Sequence, residues 1–506
     1  MNRSHTGLRR IVICLFALAG SAGSAGAARA SLESDVQELI NAASLGPTTT
    51  SIYVRDLSSE EELVEINADA LMIPASNMKL VTTAVALDVL GPGFTYFTEL
   101  RSVQAGDGPP ALWIIGNGDP TFGAPDVLKA HGIEIDQLLG TWVEEVRETG
   151  RSEWASVMID DRVFDDRFTH PNWPADQLSN HWCAGIAGLN FYSNCVEVIP
   201  QPADVRGAAP SVRLFPPAAF FETTNRATTG RTDSFWVSRD LDRDVLVFRG
   251  SVRHRRSVGV RVAVRDPAYY LGQHVRQALV EAGTVVGEVR RPDVGFDPEN
   301  YEALHRVETA LSVVLEQANR DSDNLASEGL FKAIGWQTTG QPGSWENGAA
   351  GVRLALRNRM GPRAAVFQVD DGSGMSRENR VTARLMVELL DSMWNAQDKR
   401  EAYLTTLAVG GETGTLDDRM DDSPLNDVVI RAKSGYLNGV SALSGYLTIP
   451  GAAAGTTRTL AFSMLFNGFE RPVTNSRLKE VQERVLATLA TRIRREIASE
   501  VSAAPR

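Results

Sequence analysis

The sequence is poor in the residues that build metal centres. Its 506 residues hold three cysteines (Cys14, Cys183 and Cys195) and seven scattered histidines. No Cys-x-x-Cys or His-x-x-x-His pair occurs among them, so no metal site is expected. Positive charge is also scarce: 51 Lys and Arg against 63 Asp and Glu give a formal net charge of −12. That balance argues against a nucleic-acid partner. The one basic run, Arg253-His254-Arg255-Arg256, reads as a solvated turn between two strands. Beyond the N-terminus no apolar stretch is long and charge-free enough to span a membrane. There is no internal repeat and no long low-complexity tract. What remains is a 43% hydrophobic chain of mixed charge, which indicates a folded protein of two or three domains.

The N-terminus reads as an export signal. Arg3, Arg9 and Arg10 precede an apolar run from Ile11 to Gly20, and small residues follow, ending in Ala28-Arg29-Ala30. The run is too short for a comfortable membrane anchor, so cleavage before Ser31 is expected, with the product in the periplasm or cell-envelope space. Losing residues 1–30 removes four arginines and no acidic residue, moving the net charge from −12 to about −16. Cys183 and Cys195 would then remain, close in sequence, in a compartment that permits disulfides. A local bridge and two buried free thiols are both open readings.

Along the chain the pattern changes twice. Thr50 to Arg55 and Glu61 to Ile66 look like strands, and Leu80 to Leu90 reads as a buried helix stopped by Gly91-Pro92-Gly93. Between 101 and 304 short β-like runs dominate (Ala111–Ile115, Val157–Ile159, Cys195–Ile199, Val245–Phe248), together with the alternating Val258, Val260, Val262 and Val264. Asp266-Pro267 opens a helix that closes at Gly283. After 305 helices return. The chain then finishes with strands at Leu443–Thr448 and Thr459–Phe466 and a long helix from Asn475, with Leu478, Val481, Val485, Leu489 and Ile493 on one face. The organisation expected is a signal at 1–30, one discontinuous domain made of 31–100 and 305–506, and an inserted module, as one unit or two nested ones, at 101–304.

Three short motifs occur in a fixed order: Ser76-Asn77-Met78-Lys79, Ser322-Asp323-Asn324 and Lys433-Ser434-Gly435. A serine hydroxyl needs a base within hydrogen-bond reach to act as a nucleophile. Residues i and i+3 share a helix face, so Lys79 can take the Ser76 proton if burial or nearby cations lower its pKa. Ser322 and Asn324, at alternate positions of one loop, can face a common cleft, the first to shuttle a proton and the second to hold a substrate amide. Lys433 and Ser434 can bind a terminal carboxylate, and Gly435 permits a substrate backbone to approach the strand closely. Each motif has a bland alternative: an exposed lysine near a cap, a polar helix-capping loop, a chance strand. A second Ser-x-x-Lys, Ser476 to Lys479, sits by accident in the C-terminal amphipathic helix. The ordered set is what favours chemistry.

With these motifs the chain resembles the low-molecular-mass class C penicillin-binding proteins, which are D-alanyl-D-alanine carboxypeptidases and endopeptidases. The likeness extends to Gly116-Asn117-Gly118-Asp119-Pro120-Thr121, Asp371-Gly372-Ser373-Gly374-Met375-Ser376-Arg377, Gly414-Thr415-Leu416 and Asn438 to Tyr446. It implies an α/β (α+β) serine transpeptidase/β-lactamase-like core with a central antiparallel sheet and helices, split by a mainly-β insertion. It implies catalysis by Ser76, Lys79, Ser322, Asn324 and Lys433, with Ser434, Gly435 and Tyr436 binding substrate, backbone N–H groups of Ser76 and Tyr436 as the oxyanion hole, and no cofactor. The partners implied are peptidoglycan stem peptides and cross-links, and β-lactams as covalent inhibitors. Two positions depart from the pattern: Ser434 replaces the usual Thr, and Tyr436 stands where Thr or Ser is common. Arg377 is a candidate partner for a stem-peptide carboxylate, or else a surface arginine in a salt bridge; Asp119 reads as a structural cap of its own turn. A β-lactamase on the same core and a non-catalytic cell-wall peptide-binding module are the competing functions.

Overall fold

A computed structural model describes residues 32–503 except 105–106, 241–242, 294, 297, 299, 423 and 452–456. The expected export signal and Cys14 lie outside the described residues. The centre of the fold is a six-stranded antiparallel sheet, in the order Ala408–Val409, Val429–Leu437, Val440–Ile449, Arg458–Asn467, Thr49–Asp56, Glu62–Ile66. The first and last parts of the chain thus share one sheet, joined where Thr49–Asp56 pairs with Arg458–Asn467.

Alternation along these strands divides the core in two. Ile52, Val54, Leu443, Leu447, Phe462 and Met464 point to one face, where helix 32–42 and the C-terminal helix Asn475–Ala503 pack. Tyr53, Ala442, Tyr446, Ala461 and Leu465 point to the other, against helices Met78–Val89, Leu311–Asn319, Asn324–Thr339, Trp345–Met360 and Ala383–Asn395. Because both faces are covered, Val440–Ile449 is buried almost throughout, although strand geometry still sends successive side chains to opposite cores. Leu478, Val481, Val485, Leu489 and Ile493 are all fully buried, as their helical spacing predicts. The accidental Ser-x-x-Lys of this helix stands away from the cleft, with Ser476 exposed.

A third apolar cluster fills the region between Thr95 and Ala310. Its largest sheet runs Val289–Arg290, Val157–Asp160, Ala111–Gly116, Thr95–Val103, Glu302–Ala310. The strands that carry the chain out and back, Thr95–Val103 and Glu302–Ala310, pair with each other, so the sequence-based boundaries at 100/101 and 304/305 fall inside this pair. Smaller sheets hold Cys195–Gln201 with Val260–Ala263 and Val245–Arg249 with Trp236–Arg239. Helix Pro267–Glu281 has the expected start and stop: the Asp266 side chain accepts from the Tyr269 N–H, and Gly283 takes φ 86° beyond the end. Asp119 accepts from both the backbone N–H and hydroxyl of Thr121 at 2.8 and 2.7 Å, and from the Thr309 hydroxyl at 2.6 Å, so it ties its own turn to the returning strand.

No disulfide joins Cys183 and Cys195; both are free and buried. They belong to different clusters. Cys183 packs in the helical core with its sulfur 3.5 Å from that of Met375, while Cys195 packs with Ala184 and Ala263. Burial pushes both thiols up to about 12. Cys195 meets Ala184, the neighbour of Cys183, while the Cys183 sulfur is turned to the other core and Met375, so closeness in sequence did not become a thiol pair. Among the described residues no helix is long and apolar enough to cross a membrane.

Candidate active site

Ser76 lies in a single 3-10 turn, Ala75–Asn77, that runs directly into helix Met78–Val89. Pro74 sets the approach, and Ala75 takes φ 46°, a conformation that L-residues adopt only when their surroundings impose it. Those surroundings are visible. At Gly374, itself at φ 82°, a Cβ would stand 1.8 Å from the Ala75 carbonyl oxygen, so only glycine lets the 371–377 loop close over the turn. From the other side, a Cβ on Gly435 would come within 3.1 Å of the Ser76 nitrogen. The Lys433-Ser434-Gly435 strand therefore runs flush against the Ser76 turn; the glycine expected to admit a substrate backbone admits the protein's own backbone here.

Asn77 locks this junction. Its amide donates to the Lys433 carbonyl at 2.8 Å and accepts from the Ser444 hydroxyl at 2.6 Å; Ser444, its one proton so committed, accepts from the Ser463 hydroxyl at 2.8 Å. All three side chains are fully buried. The residue occupies a variable position of its motif, and the only sequence signal was a polar amide ahead of a buried apolar helix.

Lys79 is fully buried one turn after Ser76. Its Nζ lies 3.2 Å from Ser76 Oγ, 2.7 Å from Asn324 Oδ1 and 2.9 Å from the Ser373 carbonyl oxygen. Burial lowers its pKa to about 8, with Glu328, Asp371 and Asp323 opposing the shift. Lys433 is also buried. Desolvation, reinforced by the neighbouring charge of Lys79, holds it well below the usual lysine range. Its Nζ donates to the Ser434 carbonyl at 3.0 Å, and the Ser434 hydroxyl donates to Thr415 Oγ1 at 2.9 Å. Neither lysine forms an ion pair among the described residues.

The Ser322–Asn324 segment joins helix Leu311–Asn319 to helix Asn324–Thr339. It is a capping loop as well as a site loop: Asp323 is the N-cap and accepts from the Ala326 N–H at 2.6 Å. Asn324, the first helical residue, turns its Oδ1 to Lys79 and donates from Nδ2 to the Trp182 carbonyl at 2.8 Å. Ser322 is half-buried with φ 61° at the corner, and its hydroxyl takes no partner among the described residues.

These elements border a cleft of about 740 Å³ whose lining includes Ser76, Asn324, Arg377, Tyr436 and Trp182. Tyr436 is 56% exposed and walls the cleft rather than filling it. Arg377 is exposed and donates to the Asn438 carbonyl; among the described residues it makes no ion pair. Trp182, 41% exposed, comes from the inserted region, and nothing in its sequence marked it as part of the site.

The loop over the cleft is held by two buried carboxylates. Asp371 accepts from Gly374 N, Ser376 N, Asn379 Nδ2 and Trp173 Nε1 at 2.6–2.9 Å. Glu328, one turn along the helix from Asn324, accepts from Ser373 N, Trp345 Nε1 and Gly372 N at 2.8, 2.8 and 3.2 Å. Its sequence signal was an acidic residue inside the mostly apolar stretch Leu325 to Ile334, which also holds Ser327 and Lys332.

A sequence profile described as the D-Ala-D-Ala carboxypeptidase 3 (S13) family matches residues 32–491. A D-alanyl-D-alanine carboxypeptidase of Actinomadura sp. (strain R39) is 32% identical over 464 residues, which is 87% of this chain and 82% of that protein. The D-alanyl-D-alanine carboxypeptidase DacB of Haemophilus influenzae is 24% identical over 92% of this chain and 94% of its own length. The crystal structure of penicillin binding protein 4 (dacB) from Haemophilus influenzae has the same fold, with a TM-score of 0.74 at 20% identity over 90% of this chain and 99% of that one. The chain belongs to the D-Ala-D-Ala carboxypeptidase 3 (S13) family, and with it to the low-molecular-mass class C penicillin-binding proteins that its motifs resemble.

Proposed function

We propose that this serine-type D-Ala-D-Ala carboxypeptidase works through a Ser76 acyl-enzyme. The observation that carries the reading is the set of three contacts at Lys79 Nζ. A neutral amine has two N–H donors and one lone pair. Asn324 Oδ1 and the Ser373 carbonyl can only accept, so they take the two N–H groups, and the lone pair is left for the Ser76 hydroxyl. With its pKa lowered to about 8, Lys79 is neutral in a useful fraction of molecules near neutral pH and remains basic enough to remove the serine proton.

Ser76 then attacks the carbonyl of the penultimate D-Ala, and the terminal D-Ala leaves as its amine gains a proton through Ser322. Lys433 and Ser434 hold the terminal carboxylate. The backbone N–H groups of Ser76 and Tyr436 stabilise the oxyanion, and water releases the acyl group. The same site cleaves D-Ala–diaminopimelate cross-links as an endopeptidase, and β-lactams acylate Ser76 and leave slowly. Arg377, a cation at the cleft without an ion pair among the described residues, holds a carboxylate of the stem peptide. The enzyme acts after export, in the cell-envelope space.

The test is incubation of the purified protein with a D-Ala-D-Ala peptide and, in parallel, with penicillin, beside Ser76→Ala. Release of D-Ala and a long-lived penicillin adduct are expected, both lost in the variant. Fast penicillin turnover without D-Ala release would make the chain a β-lactamase. Neither activity in a folded protein would leave only a binding role. For Arg377→Ala, cleavage of a diaminopimelate-bearing peptide should fall while a simple D-Ala-D-Ala peptide is spared; no change in either removes Arg377 from the site.

A further inference from the structure

Behind the three motifs lies a second group that reaches Lys79 through one residue, Ser373. Lys79 Nζ donates to the Ser373 carbonyl at 2.9 Å. The N–H of the same residue donates to Glu328 Oε1 at 2.8 Å, and the preceding N–H, of Gly372, donates to Oε2 at 3.2 Å. The Gly372 carbonyl accepts from the Thr82 hydroxyl at 2.7 Å, on the helix that carries Lys79. Ser373 is thus held at its nitrogen by a carboxylate and presents its oxygen to the lysine. Glu328 is fully buried, and its third partner, Trp345 Nε1, is also a donor.

All three partners of Glu328 are N–H groups. A protonated carboxyl would need an acceptor for its own O–H, and none stands among them, so this arrangement calls for the anion. Burial first, and then the neighbouring Asp371, outweigh the three donors and raise its pKa to about 7, so the anion that the donors call for is the form present from about neutral pH upward. The charged groups around the pair come from every adjoining element. Glu328 on helix Asn324–Thr339, Asp371 on the loop, and Asp323 at the N-cap of that helix act on Lys79 with opposite charge; Lys433 on the strand faces it with like charge. Lys332, next along the same helix, feels Glu328 but is committed to Asp165 at 2.6 Å.

We propose that Glu328 is a positioning residue for acylation: as a buried anion it fixes the Gly372-Ser373 backbone so that the Ser373 carbonyl holds Lys79 with its lone pair on Ser76. This rests on the acyl-enzyme reading above and adds to it a group that touches neither substrate nor Ser76. Removing the charge has two effects. The Ser373 carbonyl loses its fixed position, and Lys79 loses an anion that favours its protonated form, so Lys79 is deprotonated at lower pH.

The experiment measures the second-order rate of β-lactam acylation and of D-Ala release across pH for wild type, Glu328→Gln and Glu328→Asp, with the fraction of folded sites counted by adduct stoichiometry. Wild-type activity that is lost in Ser76→Ala serves as the control; its absence would sink the acyl-enzyme reading itself rather than the role of Glu328. Glu328→Gln should acylate about ten- to a hundredfold more slowly, with KM for the peptide little changed and the acid limb of the profile moved to lower pH. Glu328→Asp keeps the charge on a shorter stem, so its limb stays at the wild-type position while its rate falls. A folded Glu328→Gln with unchanged rate and limb overturns the proposal, as does a fall in stability alone with normal kinetics per folded site. If Glu328→Gln does not fold, Glu328→Asp decides: a lower rate at the wild-type limb supports the role, and an unchanged rate overturns it.

Discussion

The Ser76 cleft and the Asp119 turn of the inserted region are both glycine-bearing, buried and polar, yet their polar groups are finished in different ways. Asp119 is enclosed: both its oxygens accept from Thr121 and Thr309, and nothing of it faces a cleft. Lys79 and Lys433 are also buried, but among the described residues neither has a carboxylate in contact, and Ser76, beside Lys79, opens into about 740 Å³ of cleft. A buried polar group whose partners are complete stabilises a loop. Buried cations left without a counter-ion have lowered pKa values and are ready to take a proton or an anionic substrate. The contrast separates structure from chemistry where residue type and burial do not.

The comparison is broken most severely at Lys79. Lys79→Ala should reduce acylation by about 10²–10⁴-fold, the usual range for loss of a general base, with the fold retained; stopped acylation in a protein of normal melting temperature is the check. Asn77→Ala removes the tie between the nucleophile turn and the Lys433 strand without touching substrate. Since small displacements of reacting groups cost about 10²-fold, a comparable fall in acylation is expected, readable in the same assay.

The pH dependence sharpens the contrast. Because burial lowers Lys79 to about 8, the free base grows as pH rises, and acylation should climb about tenfold per pH unit below that value and level off above it. The linkage has the same sign. From about 8 up to the ordinary 10.5, the unfolded chain still holds a proton that folded Lys79 has released, so this residue makes the fold more stable as pH rises through that window. A thermal-melt series across the window, wild type against Lys79→Met, isolates the contribution.

On the other side of the comparison, Asp119→Ala leaves three donors without an acceptor and should cost about 1–3 kcal/mol of stability, with acylation per folded molecule unchanged. Denaturant melts and active-site counting separate the two. The smallest effect is expected at Tyr436, which is 56% exposed on the cleft wall. Tyr436→Thr should alter KM and β-lactam preference by a few-fold and leave the maximal acylation rate near wild type.

Local pattern made much of this legible. The alternation of the sheet strands, the five-residue apolar face of the last helix, the Asp266-Pro267 start and the three ordered motifs all depend on neighbours within a turn or a strand, where steric and hydrogen-bond rules are short-ranged. The same holds for Asp119, whose capping partner Thr121 is two residues away. The disulfide question was not legible, because it depends on which cluster each thiol enters.

By itself, then, the sequence marked the residues proposed as nucleophile, base and carboxylate-binding groups, and many of the segments that are helix or strand. Only the tertiary structure decided that Asn77 would bind the nucleophile turn to Lys433, that Trp182 of the insertion would wall the cleft, and that Glu328 would reach Lys79 through the Ser373 peptide. Those contacts join residues 356, 142 and 45 positions apart in the first, Asn324–Trp182 and Glu328–Ser373 pairs. At such separations no periodicity or capping rule operates. The partner is fixed by how helices and strands pack, so its identity appears only when the chain is folded.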